Sequence, residues 1–266
     1  MNRNSTVALI FHSAFIAFLV APLVVVILVA FTPEAHLSVP VHGLSLRWFW
    51  MLLENAEFLR SFAISLALAF VSATVALVVM LPASFALGRS QFFGRDALAA
   101  FFLSPLMIPS VVLGIACLRF LTAVHLSATF YGLVLSHALI VSPYVLRLSL
   151  AAVVGLDVNH ERAASSLGAS RWDIFWRIHL PLVKPGLISG WILAFITSFD
   201  ELTVTVFVAS PSTTTLPVRL FNRITESTDP LVASVSTVML LFAAAVMIIL
   251  DRLYGVDKLF MRGGKA

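Results

Sequence analysis

Residues 159–186 read NHERAASSLGASRWDIFWRIHLPLVKPG. The stretch is charged, rich in alanine and aromatic residues, and punctuated by glycine and proline, in a chain otherwise oily enough for a bilayer. Its local grammar is that of two short helices. Asp157 or Asn159 caps a helix running to about Ser166, because a short polar side chain satisfies the first free amides. Gly168 supplies the turn, since glycine adopts a positive φ without steric cost. Ser170 and Asp173, three apart, have capping-box spacing and open a second helix. On it Trp172, Phe175 and His179 share a face with Trp176 beside it, and Ile174 and Ile178 lie four apart on a neighbouring face. Pro181 is expected to stop this helix, with Pro185 and Gly186 leading into the next apolar segment. A hairpin of about 25 residues is too short to fold alone. Two readings follow: an amphipathic loop on the membrane surface, or a loop whose aromatics rest on helix ends while its smooth side, with Ala163 and Ala164, enters a groove on another protein.

The chain around it fixes the class. Of 266 residues, 60% are hydrophobic and 11% charged, with mean hydropathy +1.02; soluble domains carry roughly 25% charged residues. This composition gives an integral, all-α membrane protein. Residues 4–33, 61–88, 97–118, 120–146 and 230–250 hold no Asp, Glu, Lys or Arg, and each is long enough for the roughly 20 residues that span hydrocarbon. A sixth segment, 185–208, is as long but carries Asp200 and Glu201. Six transmembrane helices are therefore expected, near 7–31, 62–86, 97–119, 130–152, 185–208 and 230–250. The first is read as a retained helix, its apolar run being longer than the 7–15 residues of a signal-peptide core. Six spans place both termini on one side. That side, with the 153–184 loop, holds twelve basic residues against five on the other, which makes it cytoplasmic. Residues 32–60, then outside, suit a short interfacial helix with Trp48 and Trp50 at headgroup level.

Several chemistries lack their motifs. No G-x-x-x-x-G-K-[ST] is present, so ATP hydrolysis by that route is not this chain's work. HERAA at 160–164 lacks the second histidine of H-E-x-x-H, and no G-x-S-x-G or Cys/His cluster occurs. No metal, cofactor or nucleic-acid partner is indicated. The lone cysteine, Cys117, sits in an apolar run as a small buried hydrophobe.

RAASSLGASRWDIFWRIHLP (162–181) resembles the cytoplasmic-loop signature of binding-protein-dependent ABC importer permeases: E-A-A, three residues, G, nine residues, I-x-L-P. Ala163, Ala164, Gly168, Ile178, Leu180 and Pro181 fall at the required spacing; Arg162 stands where the signature has glutamate, and Glu161 lies one residue earlier. LSPLMIPSVVLGIA (103–116), SHALIVSPYVLRLS (136–149) and SFDELTVTVFVASPSTTTLPVRLF (198–221) are similar to the spermidine/putrescine subgroup, most of all its second permease subunit. The resemblance implies the type I permease fold: an N-terminal helix and periplasmic segment over 1–60, a transmembrane core over 61–252 and a cytoplasmic tail over 253–266. It implies a coupling helix between the fourth and fifth spans, gripped by a cytoplasmic ATPase. Its further partners are a second permease forming a heterodimer, two ATPase subunits in all and a periplasmic solute-binding protein.

Asp200 and Glu201 lie about 15 residues past Lys184, some 20 Å along a helix. A carboxylate at such depth is costly, and faces a cavity or a partner. With Ser198, Phe199 and Thr203 beside them they are the candidate contacts for a cationic solute; the competing reading is structural pairing within the bundle. His12 and His137 read as hydrogen-bonded bundle residues. Pro105, Pro109 and Pro143 read as kinks. Another small solute, such as an amino-acid derivative, a phosphonate or a metal complex, is the alternative within this importer class. Outside it stand a secondary transporter, working without an ATPase, and an intramembrane enzyme using Asp200 and Glu201 as acid and base.

Overall fold

With no water in the hydrocarbon to satisfy free amides and carbonyls, an apolar chain of this kind must close its backbone hydrogen bonds within helices. The computed structural model describes residues 3–254 apart from 41 and 228, and among them every regular element is helical. In chain order these are α1 (Arg3–Ala30), α2 (Arg47–Glu54), α3 (Ala56–Arg89), α4 (Arg95–Leu103), a 3₁₀ turn (Ser104–Leu106), α5 (Ser110–Ala123), α6 (Phe130–Val154), α7 (Val158–Ser166), α8 (Arg171–Ile174), a π turn (Phe175–His179), α9 (Leu180–Phe199), α10 (Thr203–Val208), α11 (Leu216–Glu226) and α12 (Leu231–Tyr254). Five of the helical stretches are long and apolar enough to cross a membrane: those in α1, α3, α6, α8–α9 and α12. The tail expected at 253–266 lies, from 255 onward, outside the described residues.

The third expected span is not one straight helix. α4 with its 3₁₀ turn and α5 meet at 102°. Pro109, with no N–H to donate and an extended ψ of 131°, is the N-cap of α5 and forces the break. Counted as one span, this bent pair makes the sixth. α6, by contrast, runs through Pro143 without interruption.

The chain forms two compact units: one from its start to Arg60 with Arg219–Ala245, the other from Ser61–Val218 with the residues from Val246 on. In the first, Trp48 of α2 is buried and its indole Nε1–H donates to the Thr32 carbonyl at 3.0 Å, with the Arg47 guanidinium 5.1 Å from the ring centroid. Trp48 thus points inward, and only Trp50 is exposed as the interfacial reading expects. Arg219 pairs with Glu57 at 2.9 Å, and Arg223 pairs with Asp229.

The second unit is organised by α6 and α9, its most extensively packed pair. Gly186 and Gly190, four residues apart on α9, let the backbones meet. A Cβ on Gly186 would collide with Cβ of Ala152 and stand 3.1 Å from the Leu148 carbonyl; one on Gly190 would stand 3.3 Å from Val145 Cα. Small residues at this spacing are the usual means of close helix approach in lipid. α3 closes the trio, with Trp191 Nε1–H donating to Thr74 Oγ1 at 3.0 Å. Among the described residues, two apolar clusters lie here. Val153, Leu156, Val183 and Leu187 pack near the 158–179 segment. Leu68, Leu113, Cys117, Leu121, Leu133, Val134, Val204 and Val208 pack where α5 and α10 join α3 and α6. Gly186→Leu must therefore part α6 from α9. Overpacking costs about 1–3 kcal/mol, and here it meets a methyl and a carbonyl that cannot rotate away. The expected result is a melting temperature lowered by several degrees in detergent, with less folded protein in the membrane; melting at the parental temperature would contradict the close approach.

Candidate functional site

The loop of interest is built as its residues dictate. The Asp157 carboxylate accepts from the Asn159 amide at 2.8 Å, capping α7. That bond holds the fully exposed Asp157 carboxyl below the usual carboxylate range. At the other end of α7 the Gly168 N–H reaches the Ser165 carbonyl (3.0 Å) and the Ala169 N–H reaches Ala164 (3.1 Å). This is the Schellman pattern, with Gly168 at φ +82°. A Cβ on Gly168 would meet nothing within 4 Å, so glycine is needed there for conformation and not for space. Ser170 caps α8 by accepting the Asp173 N–H at 3.1 Å, and its own hydroxyl donates to the Asp173 carboxylate at 2.6 Å.

Glu161 is half-buried and Arg162 exposed. The Glu161 carboxylate is taken up within the chain: it pairs with Arg89 at the end of α3 and lies 3.6 Å from His179 Nε2. Arg89 also donates to the Leu156 carbonyl at 3.2 Å. This cluster ties α7 to α3 and to the π turn. Arg162, Ala163, Leu167 and Gly168 are exposed, and Leu167 is 89% exposed at the tip. Ala164, Ile178 and Leu180 are half-buried, with Leu180 packed against the core of Val153, Leu156, Val183 and Leu187.

Pro181 does not end the helix. From Arg171 to Phe199 the chain is one helical rod of 29 residues, about 44 Å at 1.5 Å per residue. The reason lies in the π turn just before the proline: the Leu180 N–H reaches back five residues to the Phe175 carbonyl. The widened turn closes one residue before the proline that lacks its own donor, and π segments occur mostly as such single turns inside α-helices. Pro185 is likewise inside α9. Nor are all the aromatics buried. Phe175 and His179 pack on the Phe85 ring at 5.4 and 5.8 Å between centroids, whereas Trp172 is 70% exposed and Trp176 49%.

At the far end of the rod the helix breaks at Asp200 and Glu201, which are not part of a continuous 185–208 span. Asp200 is the C-cap of α9 and is exposed. Glu201 is half-buried, and its Oε1 accepts the Val204 N–H at 2.9 Å in the first turn of the six-residue α10, whose N-cap residue is Leu202. Thr203, half-buried, opens α10. Ser198 and Phe199 are buried. The Phe199 ring packs edge-on to Phe62 and stacks on Phe195; Ser198 bonds to His137 at 2.8 Å. Of the five residues, Asp200, Glu201 and Thr203 are thus the ones that present polar atoms to the surroundings. Two apolar surface grooves, of about 630 and 600 Å³, are lined by residues of α3, α9 and α12, and neither is lined by Asp200 or Glu201.

Sequence reasoning did not single out Arg89. Arg89 was visible only as the charge ending an apolar run, and its pairing with a residue 72 positions away carries no local signal. Thr205, wholly buried, meets His137 Nε2 at 3.0 Å. A buried hydroxyl left unpaired costs about 1–3 kcal/mol, so the pairing of His137 with Ser198 and Thr205 is substantial for the bundle. His12, the other histidine read as a bundle residue, bonds the Ala8 carbonyl of its own helix at 2.5 Å.

Residues 80–256 match the family described as binding-protein-dependent transport system inner membrane component. The spermidine/putrescine transport system permease protein PotC of Shigella flexneri is 30% identical over 254 residues, 96% of each chain. The putrescine transport system permease protein PotI of Escherichia coli K12 is 30% identical over 230 residues, 84% of this chain and 82% of its own. A chain of a bacterial ABC transporter that imports the acidic polysaccharide alginate superposes with a TM-score of 0.77 at 15% identity, covering 95% of this chain and 98% of that one; at that identity the likeness is one of fold.

Proposed function

This chain belongs to the family of binding-protein-dependent transport system inner membrane components, and from that premise we propose that its solute is a polyamine, spermidine or putrescine. It is a multi-pass permease subunit of an ABC importer, of the type I permease fold, and not an enzyme; ATP is hydrolysed by a separate subunit. Importer permeases of this class work with a partner permease, ATPases and a periplasmic binding protein. For this chain the arrangement is a heterodimer with a second, similar permease, two ATPase subunits beneath it, and both termini in the cytoplasm. The segment Glu161 to Pro181 is the coupling element: Arg162, Ala163 and the Leu167–Gly168 tip meet the ATPase, and Glu161 secures the element to α3. Asp200, Glu201 and Thr203 line the solute pathway, with Ser198 and Phe199 supporting them. Nucleotide-driven closure of the ATPases moves the rod and switches the pathway between its outward- and inward-facing forms.

The polyamine reading is carried by the 30% identity to a spermidine/putrescine permease over 96% of both chains. Two carboxylates at a helix break, unpaired with any basic side chain among the ion pairs of the described residues, are chemically suited to a cation. The test is reconstitution with its partner permease, ATPase and binding protein in proteoliposomes. Labelled spermidine or putrescine should accumulate saturably and only with ATP inside reach of the ATPase. If neither accumulates while another solute binds the binding protein and is taken up, the polyamine assignment is overturned.

A further inference from the structure

His137 is almost fully buried in the N-terminal third of α6, and both its ring nitrogens are engaged across elements. Nδ1 meets Ser198 Oγ at 2.8 Å, two residues before Asp200. Nε2 meets Thr205 Oγ1 at 3.0 Å, four residues after Glu201. Thr205 in turn donates its hydroxyl proton to the Glu201 carbonyl at 2.9 Å. The donors and acceptors can then be assigned. The Thr205 proton is committed to Glu201, so Thr205 accepts at the ring and His137 carries its proton on Nε2. Neutral imidazole leaves Nδ1 as an acceptor, so the Ser198 hydroxyl donates to it. The result is one chain with a single sense: Ser198 O–H to Nδ1, Nε2–H to Thr205, Thr205 O–H to Glu201. One imidazole therefore holds both sides of the break that presents Asp200 and Glu201.

The break is where such a hold matters. α9 ends at Phe199 and α10 begins at Thr203, with no continuous helical backbone between them to transmit a displacement. α10 packs chiefly on α5. We propose that His137 is a positioning residue for transport: it clamps the Asp200–Glu201 break between Ser198 and Thr205, so that movement of the α8–α9 rod is passed to the carboxylates and to α10 and is not absorbed at the break. This rests on the reading that the rod is driven at its 158–179 end and that the carboxylates line the pathway.

The experiment uses the full importer in lipid nanodiscs with Cys117→Ala. Spin labels are placed at Leu193 on α9 and Val206 on α10, both exposed. The parent should give one narrow inter-label distance distribution. His137→Leu, which keeps the bulk and removes both bonds, should broaden it. His137→Gln should restore it, because its amide oxygen accepts from Ser198 and its N–H donates to Thr205. In proteoliposomes His137→Leu should lower spermidine carried per ATP hydrolysed by about tenfold, the size of a typical coupling, through kcat and not KM, while hydrolysis continues. A narrow distribution in His137→Leu overturns the clamp. If that variant does not assemble, Thr205→Val, with nearly the same shape and no hydroxyl, decides by the same distance measurement. Asp200→Asn separates the two ideas: if it transports like the parent while His137→Leu uncouples, the pathway reading fails, and with it the passing of movement to the carboxylates, while the clamp between α9 and α10 stands.

Discussion

Leu167→Asp is expected to abolish ATP-driven uptake while leaving the permease folded in the membrane. Leu167 is the apolar tip of the 158–179 segment and is 89% exposed, so its own chain gains almost nothing from it. Its neighbours Arg162, Ala163 and Gly168 are exposed as well, and the Schellman turn that presents it depends on Gly168 and on backbone bonds, not on the leucine side chain. An apolar side chain held out by a rigid turn is what an anchor for a partner cleft looks like. Anchors at interface centres are worth about 2 kcal/mol or more, and an aspartate forced into the same cleft adds the cost of an unpaired buried charge. Together these lower affinity by about a hundredfold or more. The measurement is recovery of the ATPase with tagged permease, beside uptake in proteoliposomes. Leu167→Met should behave as the parent. An aspartate variant that still brings down the ATPase and still transports would remove the tip from the interface and with it the mechanical reading of the loop.

That loop also shows where sequence reasoning reaches and where it stops. The starts of both hairpin helices, the Ser170 cap and the Gly168 turn are local features, decided within three or four residues, and each is found where the residues placed it; of the two candidates for the first cap, Asp157 and Asn159, it is Asp157 that accepts the free amide. The spans were legible for a similar reason: hydrocarbon excludes charge over some 20 residues at a time. Proline was the ambiguous letter. Pro109 breaks a span, Pro143 does not, and Pro181 sits in a rod that a π turn carries through. Whether a missing donor breaks a helix depends on whether neighbouring turns and packed helices can satisfy the freed carbonyls, and that is tertiary information. The destination of Glu161 was likewise undecided by spacing, because Arg89 comes from a helix end 72 positions earlier. At Asp200 and Glu201 the expected continuous helix is absent: the pair sits at a break between α9 and α10, because α9 ends at Phe199 and α10 opens only at Thr203.

The break makes the two carboxylates unequal, and this sets the second expectation. Asp200→Asn should weaken polyamine uptake far more than Glu201→Gln. Asp200 is exposed and accepts no hydrogen bond among those found in the described residues, so its charge is free to meet a passing ammonium. Glu201 spends Oε1 on the Val204 N–H, and glutamine keeps a carbonyl oxygen for that bond. A carboxylate about 4 Å from a cation contributes up to about 4 kcal/mol at an effective dielectric of 20; after the solute's desolvation an effect of about 10- to 100-fold on kcat/KM is expected at Asp200, with only a few-fold at Glu201. Glu201→Ala is a different experiment, because it removes the acceptor of the Val204 N–H, a bond worth about 1 kcal/mol, and acts on structure as well as on charge. Asp200→Lys should stop uptake altogether, since like charges repel where the carboxylate attracts. Initial rates of labelled spermidine and putrescine uptake at matched protein levels give the comparison. If Asp200→Asn and Asp200→Lys both transport at the parental rate, the carboxylate at the break faces no cationic solute, and the solute's charge is read elsewhere in the importer.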